Sequence, residues 1–76
     1  SGADIHDGDL VVIEWFRFDG QMRMITAKRV KKTRSGYELW PESDDPAHQD
    51  PIVLSELPEH ESVRVWAKVL WVLRKP

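Results

Sequence analysis

A chain of 76 residues with no cysteine and 13 acids against 11 bases is one small, cysteine-free domain of net charge −2. That excludes a disulfide framework and a thiolate zinc site, and the scattered His6, His48 and His60 make no ligand pair. No apolar run approaches the roughly 20 residues that cross a bilayer and no signal-peptide pattern opens the chain, so a soluble, cytoplasmic module is expected, with no membrane partner.

Asp7-Gly8-Asp9 reads as a turn, because glycine accepts the positive φ that turns require. Leu10 to Phe18 then reads as a strand of β-branched and aromatic residues. Val11, Ile13 and Trp15 fall on one face. Leu10, Val12, Phe16 and Phe18 fall on the other, with Glu14 among them. Two largely apolar faces predict a central or sandwiched strand.

Asp19-Gly20 is the strongest hairpin signal in the chain and leads into a second strand, about Gln21 to Lys32. Met22, Met24, Thr26, Lys28 and Val30 share its more apolar face; Arg23, Ile25, Ala27, Arg29 and Lys31 share the other. Ser35-Gly36 marks another turn, Tyr37 to Trp40 a short third strand, and Ile52-Val53-Leu54 a short edge strand. The acidic, proline-containing stretch 41–51 between them fits neither a helix nor a central strand.

From Ser62 onward the chain alternates strictly: Val63, Val65, Ala67, Val69, Trp71 and Leu73 lie on one face of a closing strand of about twelve residues. A helix there would carry five valines of poor propensity. The expectation is a single all-β domain over 1–76. Antiparallel hairpins and a long closing strand would form a small β-barrel or β-clip.

Charge runs in blocks. Residues 1–20 carry five acids and one base, 21–34 six bases and no acid, 35–62 eight acids and no base, and 63–76 four bases and no acid. Neighbouring blocks of opposite sign predict mutual neutralisation, within the chain or across a dimer. A nucleic-acid stripe along 21–34 would suffer from the acidic block beside it.

The series of segments resembles the LexA-like family of self-cleaving repressors over nearly the whole chain. Ile5-His6-Asp7-Gly8-Asp9-Leu10-Val11-Val12 resembles the family's turn after its nucleophile. Thr26-Ala27-Lys28-Arg29-Val30-Lys31-Lys32 is similar to its strand with the catalytic lysine. Tyr37-Glu38-Leu39-Trp40-Pro41-Glu42-Ser43, Ile52-Val53 and Val65 to Arg74 resemble its later segments in order. Taken singly the motifs are weak, and it is their order that gives the resemblance its specificity.

The resemblance implies the small β-barrel of LexA and signal peptidases. It also implies a homodimerising C-terminal domain of a phage- or prophage-type, SOS-linked transcription regulator, whose DNA contacts belong to a separate N-terminal domain. It implies a serine–lysine dyad in which a neutral lysine is the general base. Lys28 occupies the matching position; an apolar setting there would lower its pKa as that role requires. The competing reading is a structural lysine whose stem snorkels from the face.

Two features depart from the family. No serine stands where the nucleophile belongs: Ser1 is followed by Gly2, falls about one residue short, and opens a Ser1-Gly2-Ala3 start that a cloning remnant would also give. The extra hairpin common before the lysine strand is missing. The chain therefore reads as a fragment that begins after the catalytic serine and is itself inactive. Missing upstream strands would leave an open sheet edge and apolar surface near Leu10–Phe18.

Asp7 and Asp9 read as turn residues and not metal ligands. Glu42, Asp44 and Asp45 read as a solvated loop and not a calcium site, so no metal, cofactor or small-molecule substrate is expected. Among the four tryptophans, Trp71 falls on the strict apolar face and reads as core. Trp66, between Arg64 and Lys68, and Trp15 are the candidates for a protein interface. The alternative function is a free-standing β-barrel that binds a protein or nucleic acid through its basic strand and exposed aromatics.

Overall fold

The computed structural model of the chain describes residues 5–42 and 50–69. Five strands are formed among them: β1 (Leu10–Arg17), β2 (Met22–Thr33), β3 (Gly36–Pro41), β4 (Ile52–Val53) and β5 (Ser62–Lys68). They pair antiparallel throughout into one sheet of order β4-β3-β2-β1-β5. The class is all-β, as the period-2 patterning predicts. Among the described residues the sheet is open, with β4 and β5 at its edges and no pairing between them to close a barrel.

The first hairpin departs from expectation in its loop. Arg17 pairs with Met22, so four residues, Phe18 to Gln21, make the connection. Phe18, Asp19 and Gly20 have φ of 53°, 55° and 89°, which ends the strand one residue earlier than its apolar run. Glycine suits the third of these positions, since the left-handed region costs it nothing sterically. The amides of Gly20 and Gln21 donate to Arg17 O and Phe18 O, each at 3.1 Å. Leu54 also leaves its expected strand and opens a 3-10 turn, Leu54–Glu56.

β1 is interior, as its two apolar faces predict, but the open edge expected beside it is not there. β5 fills that side: Phe16 pairs with Ser62, Trp15 with Val63 and Ile13 with Val65. The strict alternation of the closing strand is also broken. Ile13 faces Val65 while Val12 faces Ala67, which leaves Trp66 as an extra residue in a β-bulge. A one-residue slip exchanges faces. Past the bulge, Lys68 therefore joins Val11 on the face that Ala67 and Val69 were expected to take. Trp71, Leu73 and the rest of the predicted closing strand lie outside the described residues.

The two faces of the sheet differ. One is covered by the entering chain at Ile5 and by the 52–57 segment. Its buried core is Val11, Ile13, Val30, Leu39 and Ile52, with Ile5, Trp15, Tyr37, Leu54, Leu57, Val63 and Val65 packed around it. Each fully buried aliphatic side chain there contributes about 1.5–3 kcal/mol relative to exposure. The other face carries Leu10, Val12, Glu14 and Phe16 of β1 beside Arg23, Ile25, Ala27 and Arg29 of β2, and among the described residues nothing packs over it as a second layer. Met22 and Met24, expected on the more apolar side of β2, are exposed.

Candidate functional site

Lys28 lies on the covered face. Its strand neighbours are Val11 on β1 and Pro41 on β3, both apolar. It is half-buried, and that burial lowers its pKa from the ordinary lysine value by disfavouring the ammonium. Among the described residues Lys28 makes no ion pair that would restore the charge. Lys68 flanks Val11 from the other side, but its Nζ stands 3.3 Å from Asp9 Oδ2 and is neutralised there.

The Asp7-Gly8-Asp9 turn fixes how the chain enters this region. The Asp9 amide donates to His6 O at 3.1 Å, and Gly8 sits at φ 90°, the residue a type II turn wants in third place. Both aspartates cap backbone amides. Asp9 Oδ2 accepts from the His6 amide at 2.8 Å, and Asp7 Oδ1 accepts from the Lys32 amide at 2.7 Å. The His6 amide is the main reason that Asp9 titrates below its ordinary value, with Lys68 adding to it. The Gly8 amide donates to Val30 O and the Val30 amide to Asp9 O, at 2.8 and 2.7 Å. The turn is thereby locked to β2 two residues from Lys28. Among the described residues no group of carboxylates or histidines could hold a metal ion.

The described serines stand elsewhere. Ser35 belongs to the β2–β3 turn. Ser55 lies in the 3-10 turn, its Cβ 3.9 Å from where a side chain at Gly36 would begin. Ser62 pairs with Phe16 at the far end of β1. None is placed as a partner for Lys28. Ser1 and Ser43 lie outside the described residues.

Opposite charge blocks do pair. Arg29 clamps Glu42 through Nε–Oε2 at 3.0 Å and Nη2–Oε1 at 2.7 Å, and its Nη1 donates to Gly8 O at 3.0 Å. This bidentate contact holds the Glu42 carboxyl below its usual range and raises Arg29. Arg23 Nε lies 3.0 Å from Glu14 Oε2.

The two candidate tryptophans have different environments. Trp15 is half-buried; its indole donates to Glu61 Oε1 at 3.1 Å and the Arg17 guanidinium lies 4.9 Å from its ring. Trp66 is 60% exposed. Its indole reaches back over the outer face and donates to Glu14 Oε1 at 2.8 Å. Glu14 itself is only 4% exposed. Its importance was missed in the sequence, although a lone carboxylate among apolar strand positions is the signal that a partner has to be found for it.

Comparisons with protein-family models, curated proteins and solved structures return no match for this chain. Among the described residues, no helix is long and apolar enough to cross a membrane.

Proposed function

We propose that this chain is the C-terminal self-association and regulatory domain of a LexA-like, cytoplasmic transcription regulator. In the longer parent, Lys28 is the general base for a serine carried upstream of Ile5. The observation that carries the reading is the setting of Lys28: an apolar, half-buried site on the covered face, with a lowered pKa and no acidic partner among the described residues. The chain that would bring the serine enters over the same face, since Ile5 packs on the core and Tyr37 Oη donates to Ile5 O at 3.4 Å.

The chemistry needs a neutral amine. The serine hydroxyl gives its proton to Lys28 Nζ as Oγ attacks the scissile carbonyl. The resulting ammonium returns that proton to the departing amine. DNA contacts belong to a separate N-terminal domain of the parent, so this domain contributes pairing of half-sites through two-fold symmetry.

The test is the pH profile of self-cleavage in a parent that retains the upstream serine. Cleavage is expected to speed up with pH until Lys28 is fully deprotonated, and Lys28→Ala is expected to abolish that rise. A Lys28→Ala parent that cleaves at the original rate overturns the assignment. The alternative reading, a free-standing module that binds nucleic acid through 21–34, predicts binding that weakens steeply with salt. It is the weaker reading because Arg23 and Arg29 already hold carboxylates within the fold.

A further inference from the structure

We infer that the two acidic clefts that share Glu61, at the end of β1 remote from Lys28, form a docking track for an extended basic peptide of a partner protein. The site goes beyond the Lys28 reading and does not depend on it.

The first cleft, of about 280 Å³, joins apolar and acidic side chains. Trp15, Pro51, Ile52 and Leu57 are on its apolar lining, and Asp50, Glu56 and Glu61 are its carboxylates. The second, of about 350 Å³, is lined by Phe16 and Asp19 from the first hairpin and by Glu59, His60 and Glu61. No lysine or arginine lines either cleft. The charge is uncompensated as well as dense. Among the described residues Asp50, Glu56 and Glu59 make no ion pair. Three cations stand on elements beside the clefts. Arg17 is taken by Glu61, Arg64 lies on β5 opposite Glu14, and Arg34 belongs to the turn that meets Ser55 at Gly36.

The chain itself illustrates how this lining receives a cation. The Arg17 guanidinium lies 4.9 Å from the Trp15 ring, and its Nε is 3.4 Å from Glu61 Oε2. That Nε is buried without a hydrogen-bond partner, so the internal cation does not saturate the site. Uncompensated carboxylates beside apolar side chains favour a ligand that carries both characters. Lysine and arginine do, with an apolar stem below a charged head.

The spacing decides the class of ligand. Among the described residues no three carboxylates or histidines are close enough to hold a metal ion. A polyanion would be repelled. A lone amine would answer one carboxylate and leave the rest. Clefts joined at Glu61 suit several cations carried along one chain, with apolar residues between them. Charge complementarity of this kind steers encounter and fixes register.

The test is a titration of the chain with a short acetylated and amidated peptide of alternating arginine and leucine, followed in 1H–15N spectra. Saturable shifts are expected at the Trp15 indole N–H and at the amides of residues 52–62, with affinity falling several-fold as salt is raised. The same peptide with uncharged citrulline in place of arginine is expected to lose most of that affinity. Asp50→Asn combined with Glu56→Gln is expected to weaken binding several-fold and to leave the sheet resonances in place, since both residues are exposed. Glu59→Gln, also exposed, should weaken it less. Absence of saturable shifts overturns the assignment. So does equal binding of the citrulline peptide, an affinity that survives the double variant, or shifts centred on Glu38 and Glu42 instead of the clefts.

Discussion

The two faces of one sheet do different things with similar residues. On the covered face Val11, Ile13, Val30, Leu39 and Ile52 are sealed by the entering chain and the 52–57 segment. On the outer face Val12, Ile25, Ala27 and Ala67 are comparably apolar and lack such a cover among the described residues. Residues of the same strand, one position apart, are thus sealed in the core on one side and left exposed on the other. Apolar composition alone does not define a core. The segments that fold back over a face decide which apolar residues stabilise the monomer.

The largest test of that contrast is Ile13→Ala. Ile13 has no exposed surface, and truncating it leaves a cavity expected to cost about 2–5 kcal/mol. In a domain this small, most of the cooperative urea transition should shift to low denaturant. An unchanged midpoint would mean that the covered face is not the core.

Next is Glu14→Gln, which probes the one described residue of the outer face that is both charged and buried. It discharges a carboxylate held by Arg23 and by the Trp66 indole, and is expected to destabilise by about 1–3 kcal/mol. The Trp66 emission should report the freed ring. A neutral outcome would make Glu14 incidental to the order of the outer face.

The smallest effect is that of pH on the covered face. Lys28 has a lowered pKa in the folded state, so the unfolded chain binds its proton more tightly. Stability from this group therefore rises with pH between the lowered value and the ordinary one of about 10.4. Lys28→Met should flatten that rise in urea titrations, and an identical profile in both proteins would contradict it. At the acid end the sign reverses. Asp9 and Glu42 titrate below their ordinary values when folded, so their stabilisation is lost as pH falls through those values.

Much of the fold is readable in the sequence. The interior position of β1 follows from its two apolar faces, and adjacent charge blocks predict neutralisation without naming Arg29 and Glu42 as the pair. The bulge is not readable, because Trp66 and Leu70 make the second parity of this segment largely apolar as well, despite Lys68, and a one-residue slip there exchanges one apolar set for another. The length of the first hairpin loop is hidden for a related reason. Phe18 continues the apolar run of β1, yet its left-handed φ removes it from the strand. Of the candidate site, Lys28 can be placed by strand alternation alone. Burial of Glu14 cannot, since it depends on the bulge that brings Trp66 over it.

The central claim, that the covered face and not the outer face holds the fold together, is tested most directly by Ala27→Glu, with thermal unfolding measured beside Ile13→Ala. Ala27 is exposed on the outer face, so the predicted change in stability is no larger than the roughly ±0.5 kcal/mol typical of surface substitutions. Destabilisation as large as that of Ile13→Ala would contradict it.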